Sequence, residues 1–179
     1  MPKQQSGTAQ TLQNKEVMLD DDEFIVSKTD TSGKVTYVNR TFMFVSGYLD
    51  TDIVGKQHNL VRHPDMPRGV YRQMWAELKA GNEFFGFVKN RCKDGSFYWV
   101  FANITPDHDE TGALRGYYSV RRKANPKGIA FMEPIYQAML EEETKADKKS
   151  APDRSWQIVE DYLKEKNLSY NQLVLSLDE

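Results

Sequence analysis

Phe84-Phe85-Gly86-Phe87-Val88-Lys89-Asn90-Arg91-Cys92-Lys93-Asp94-Gly95-Ser96-Phe97-Tyr98-Trp99-Val100-Phe101-Ala102-Asn103-Ile104 reads as one long β-hairpin. Aromatic and β-branched runs flank Lys93-Asp94-Gly95, and Asp-Gly is a strong tight-turn signal because glycine accepts a positive φ at no steric cost. Side chains alternate along a strand, so Phe84, Gly86, Val88 and Asn90 share one face. Tyr98, Val100 and Ala102 line the same wall, while Asn103 points the other way. A buried asparagine on that apolar wall needs hydrogen-bond partners. Asn90 therefore either bonds to its neighbours in the sheet or meets a ligand.

Working outward, Phe24-Ile25-Val26 and Val35-Thr36-Tyr37-Val38 form a shorter hairpin around Thr31-Ser32-Gly33-Lys34. Asn39 is placed to cap a short helix carrying Phe42, Met43 and Val45, which Gly47 ends. A second short helix spans Thr51 to Val54 and stops at Gly55. The clearest helix has Val70, Tyr71, Met74, Trp75 and Leu78 on one face and closes at Gly81. Asp65 or Met66 caps it, with Pro67 in its first turn, where the missing N–H costs little. Beyond the long hairpin, Leu114 to Arg122 is a last strand, after the turn Asp109-Glu110-Thr111-Gly112. Two strands, short helices, a longer helix and three antiparallel strands predict an α+β fold. Its five-stranded antiparallel sheet has the short helices gathered on one face.

His58-Asn59-Leu60-Val61-Arg62-His63-Pro64-Asp65-Met66-Pro67 is the densest polar stretch. It is expensive to bury without partners, so it is either a solvated turn or a ligand contact. The flanks are simpler. Leu12, Val17 and Met18 suggest a short helix within an N-terminal arm, residues 1–21, whose first eleven are small and polar enough to be mobile. Residues 22–123 make the domain. Pro134 opens a linker helix within 124–145, with Ile135, Tyr136, Met139 and Leu140 on one face. Glu141 to Asp153 reads as a hinge or solvated extension. Trp156, Val159, Tyr162 and Leu163, then Leu168 to Leu177, make 146–179 an amphipathic docking or dimerisation segment.

The 179 residues are 39% apolar and 12% aromatic, enough for one ordinary core. With 24 basic and 26 acidic side chains the net charge is −2, without the basic excess of a general nucleic-acid binder. No apolar run approaches the roughly 20 residues of a membrane span, and the N-terminus lacks a signal region. One cysteine, Cys92, excludes an intramolecular disulfide. A cytoplasmic protein is the expectation.

The element order resembles the PAS sensor family, through Asn39-Arg40-Thr41-Phe42, Ser46-Gly47-Tyr48 and Lys93-Asp94-Gly95-Ser96-Phe97-Tyr98-Trp99. The 58–67 stretch narrows the likeness. With Met74-Trp75, Val88-Lys89-Asn90-Arg91, Tyr98-Trp99-Val100, Gly116-Tyr117 and Glu133-Pro134-Ile135-Tyr136, it resembles the sensor domain of bacterial aerotaxis receptors. That resemblance implies a noncovalent flavin, FAD ahead of FMN, that reports redox or oxygen state to chemotaxis machinery. It implies ring contacts from Asn90, Tyr98, Phe84 and Trp75, and approach of His58 and Asn59. Arg62 is the implied phosphate partner, or else pairs with Asp65; His63 is set near adenine or phosphate. Asp65 and Asn39 read first as helix caps, with ligand contact by family likeness. At Phe84 the aerotaxis pattern carries tryptophan, so phenylalanine keeps an apolar face but loses area and an indole donor.

Other chemistries compete less well. Blue-light LOV domains form their flavin adduct with a cysteine in Gly-x-Asn-Cys-Arg, and the counterpart Gly55-Lys56-Gln57-His58-Asn59 places His58 there. A metal site from His58, His63 and Asp65 is interrupted by Pro64. A catalytic flavoenzyme would need a nucleotide motif and a substrate domain, so no enzyme is expected and no catalytic residue is assigned. The alternative is a cofactor-free or haem-binding PAS interaction module. The expected partners are a chemoreceptor-like signalling protein in trans and a second copy of the chain.

Overall fold

A computed structural model describes residues 11–179. Five antiparallel strands, β1 (Ile25–Asp30), β2 (Val35–Val38), β3 (Phe84–Arg91), β4 (Phe97–His108) and β5 (Leu114–Lys123), form one sheet in the order β2-β1-β5-β4-β3. The long hairpin pairs Val88 with Val100 and Asn90 with Tyr98, so the alternation read from sequence is realised. Gly95 turns it at φ 94°. A Cβ there would lie 2.1 Å from the Thr11 carbonyl oxygen, so the turn requires glycine.

Between β2 and β3 lie α1 (Arg40–Ser46), α2 (Asp50–Ile53), a 3-10 helix (His58–Val61) and α3 (Arg68–Lys79). Asn39 Oδ1 accepts from the Phe42 and Val26 amides, and its Nδ2 donates to the Phe24 carbonyl. One side chain thus caps α1 and ties it to β1. The expected cap on α3 is corrected. Pro67 occupies that position without a side-chain bond, because the Asp65 carboxylate is drawn away to Lys89 Nζ at 2.7 Å.

The N-terminal helix expected around Leu12 to Met18 is absent. Residues 13–17 run extended beside the hairpin tip, with Gln13 N–H donating to Gly95 O and Val17 N–H to Phe97 O. Hydrogen bonds to the open start of β4 replace those a short helix would make within itself. The arm's first ten residues lie outside those described.

Three helices follow the sheet: α4 (Pro126–Lys145), α5 (Ala151–Lys166) and α6 (Tyr170–Ser176). The reading that Pro134 opens a helix is corrected: α4 begins at Pro126 under an Asn125 cap, and Pro134 lies inside it. Pro134 is exposed, so the lost backbone bond faces water rather than the core. Helix α4 covers the outer sheet face, where Tyr136 stacks on Trp99 and Gly128 meets the Phe87 ring. Helix α5 packs on α3, and α6 on the edge strand β3. Trp156, Val159, Leu163, Leu173 and Val174 are buried. The segment 146–179 therefore docks within its own chain.

This wrapping solves an edge-strand problem. Tyr136 Oη donates to the Phe87 carbonyl at 2.8 Å, and Met66 Sδ accepts the Lys89 amide. Main-chain groups of β3 that would otherwise invite another strand are thus occupied.

Candidate functional site

A cavity of about 220 Å³ lies between the inner sheet face and the helices. Val88, Asn90, Ala102 and Ile104 of the long hairpin form one wall; Tyr71, Met74, Trp75 and Leu78 of α3 form another. The 3-10 helix and its flank bring His58, Asn59, Val61 and Arg62, and β5 brings Tyr117, Ser119 and Arg121. Among the described residues no aspartate or glutamate lines it, whereas two arginines do.

Arg121 is 3% exposed. Its Nη2 donates to Ser27 Oγ at 2.6 Å and lies 2.8 Å from His58 Nε2. A guanidinium has only donors, so His58 Nε2 accepts and the imidazole proton sits on Nδ1. Burial and then the Arg121 charge push the His58 pKa down to about 3. The imidazole is therefore neutral. Burial also lowers the Arg121 pKa, yet an arginine stays charged. Among the described residues its Nη1 has no partner, nor do Asn90 Nδ2 and Ser119 Oγ, all three buried. Leaving such groups unpaired costs about 1–3 kcal/mol each, so the cavity is built for something polar.

Arg62 is half-buried. It donates to the Met66 carbonyl at 3.0 Å and lies 3.9 Å over the Tyr71 ring. It does not pair with Asp65. Burial raises the Tyr71 pKa to about 12, so the phenol stays protonated beneath it. Trp75 packs edge-on against Tyr117 with ring centres 5.2 Å apart.

Of the ten residues singled out from sequence, His58, Asn59, Arg62, Trp75 and Asn90 meet at the cavity. The other five do not line it. His63 is buried edge-on against Phe97, and its Nδ1 accepts the Asp65 amide. Asp65 faces Lys89. Asn39 is fully engaged as a cap. Phe84 stacks on Tyr170 of α6, ring centres 5.7 Å apart. Tyr98 is fully buried beside Asn90, and its hydroxyl lacks a partner.

Comparison with known proteins agrees with this architecture. Residues 35–121 match the family described as the PAS fold. Those residues form a PAS domain.

The aerotaxis receptor of Escherichia coli is 46% identical over 121 residues, which span 68% of this chain and 24% of the receptor. A nitrogen fixation regulatory protein of Klebsiella pneumoniae is 29% identical over 105 residues, 59% of this chain and 21% of that protein. The chain thus matches less than a quarter of either relative. The dark structure of the blue-light photoreceptor Aureochrome1 LOV superposes with a TM-score of 0.53 at 19% identity, over 60% of this chain and 79% of that one. At that identity the superposition speaks for the fold alone.

Within the PAS domain, sequence reasoning missed Arg121 and Ser119. Alternation along β5 places Tyr117, Ser119 and Arg121 inward and Tyr118, Val120 and Arg122 outward, a parity that was available. Arginine's usual exposure hides it, and Arg122 beside it does point out, to Asp178 of the C-terminus. Among the described residues no cluster of three or more His, Cys, Asp or Glu is placed to hold a metal. Nor is any helix long and apolar enough to cross a membrane.

Proposed function

We propose that this PAS domain is a redox or oxygen sensor that holds a flavin noncovalently in the inner cavity, FAD in first place and FMN in second. One observation carries the reading: apolar walls enclose two guanidinium groups and three orphaned polar atoms, with no carboxylate in the lining. A planar aromatic ring with a polar edge and a phosphate tail answers all of those demands. Pockets for drug-sized ligands are about 300–1,000 Å³, so a cavity of about 220 Å³ is on the scale of the ring system rather than of a whole dinucleotide. The half-buried Arg62 is then the phosphate partner, since guanidinium binds two oxygens at once.

The flavin, when bound, supplies reversible electron and proton transfer. The protein's share is electrostatic. Arg121 favours added negative charge in a site of low dielectric. Asn90 can turn its amide to donate or accept as the edge it faces gains or loses a proton. Val88, Ala102, Met74 and Leu78 exclude water from the ring. His58 holds Arg121 without carrying charge itself. The same bond speaks against haem, because the Nε2 lone pair an axial ligand needs is taken by Arg121.

Identity with part of the aerotaxis receptor supports a signalling role, and we propose that the output is a chemoreceptor-like protein in trans. We extend the proposal to a homodimer acting in the cytoplasm, with no catalysis of its own. The first experiment is the visible spectrum of purified protein, then acid release of the chromophore and chromatography. Released FAD or FMN supports the proposal. A dominant Soret band, or colourless protein that takes up neither flavin, overturns it.

A further inference from the structure

The wall helix α3 has no side-chain cap of its own, and the C-terminal helices provide one. Glu143 of α4 accepts the Gly69 amide at 2.9 Å and the Ser155 hydroxyl of α5 at 2.8 Å through one carboxylate oxygen. The carboxylate therefore neutralises an orphan N–H at the positive end of α3 and fastens α5 to it. The fit is close: a Cβ on Gly69 would lie 2.4 Å from Ser155 Oγ and 2.9 Å from the Pro152 carbonyl oxygen. Arg68 donates to the Lys148 carbonyl at 2.7 Å, and Arg72 pairs with Asp153 at 2.6 Å. Three contacts thus bind the first turns of α3 to the α4–α5 junction, and the Glu143–Ser155 bond locks that junction.

The opposite face of that helix is the cavity wall. Tyr71 is two residues beyond Gly69 and lies under Arg62. The Arg62 guanidinium, whose pKa burial lowers, is pulled back up by Tyr71 and by Glu143. Glu143 thus acts on Arg62 electrostatically from outside the cavity.

We propose that α5 and α6 form a clasp whose docking is linked to cavity occupancy through α3, with Glu143 as the positioning residue. A ligand that orders α3 tightens the clasp, and by reciprocity the clasp raises ligand affinity. The clasp is then the moving part a signalling partner reads. The nature of the ligand rests on the flavin reading; the linkage does not.

Hydrogen exchange on the full chain tests it, with FAD affinity measured separately by fluorescence. Loading wild-type protein with FAD should slow exchange in 151–176 by about tenfold, relative to α1 (Arg40–Ser46), no residue of which lines the cavity, as internal control. Glu143→Gln should weaken FAD binding by about tenfold and erase that difference. FAD that binds wild-type and Glu143→Gln equally, without slowing 151–176, overturns the clasp and leaves the flavin reading intact. Met74→Ala, which loosens the cavity wall without any ligand, should speed exchange in 151–166 but not in 40–46. If FAD fails to bind, that arm still decides: unchanged exchange in 151–166 overturns the clasp.

Discussion

Arg121 Nη2 lies 2.8 Å from His58 Nε2 and 2.6 Å from Ser27 Oγ, so strands β1 and β5 and the 3-10 helix meet at one buried guanidinium. The junction sets the ionisation of the cavity. His58 must accept, so it must be neutral, and protonating it would place two cations in contact. Its pKa near 3, against 6.5 in the unfolded chain, makes stability depend on pH. Between these values the unfolded state binds a proton that the folded state refuses, so stability is present above pH 6.5 and lost as pH falls towards 3. Each pH unit in that window costs about 1.4 kcal/mol. His58→Gln keeps an acceptor for Arg121 without the titration. The variant should lose about 2 kcal/mol less than wild type between pH 6.5 and pH 5 in urea unfolding. Equal losses would mean that His58 charges freely in the fold.

Arg121→Gln removes the buried cation but keeps a donor towards Ser27. Flavin affinity should fall by about tenfold or more, or about 1.4 kcal/mol, in a fluorescence titration. Asn103→Ala serves as control, because Asn103 Nδ2 bonds Glu83 away from the cavity. Similar affinities for the two variants would remove Arg121 from the site.

Asp65 and Lys89 form an ion pair at 2.7 Å, with the lysine side chain 10% exposed and the carboxylate 43%. Removing the carboxylate strands a largely buried ammonium. Asp65→Asn should therefore destabilise the fold by about 1–2 kcal/mol, discounted for the exposed partner, with little change in flavin affinity. Adding Lys89→Met should recover part of that loss, since the stranded charge goes with it. A large affinity loss in Asp65→Asn at unchanged stability would return Asp65 to the binding site.

Gly86 faces Tyr170 so closely that a Cβ would lie 2.9 Å from its hydroxyl and 3.1 Å from Phe84 Cε1. Gly86→Ala should cost about 1–3 kcal/mol by overpacking, read as a lower thermal midpoint. Tyr170→Phe removes the nearer atom. Combined with Gly86→Ala it should restore part of the loss, leaving the Phe84 contact as the remainder. Strictly additive effects would show that α6 does not sit on β3 in solution.

Much of the fold was legible in local chemistry. The Asp94-Gly95 turn, the strict alternation of Phe84 to Asn90, and Asn39 and Gly47 at the ends of α1 each carry their instruction within a few residues. The errors arose where distant groups outbid local ones. Asp65 looked like a cap until Lys89, 24 residues away, claimed its carboxylate. Leu12 to Met18 suited a helix until the hairpin tip offered main-chain partners. Pro134 looked like a start because its solvent-facing place in α4 was not readable.

The candidate site divided in the same way. Strand and helix periods set Asn90 on the inner face of the hairpin and Trp75 on the apolar face of α3, and the family resemblance gathered them with His58, Asn59 and Arg62 around one ligand. The tertiary structure alone brought β5 against β1 and so turned Arg121 from an ordinary surface residue into a buried, partly unpaired cation. It alone placed Glu143 on α3, 74 residues from Gly69. Periodicity is a property of neighbours in sequence. Desolvation and charge balance belong to neighbours in space, and these decide what the cavity accepts.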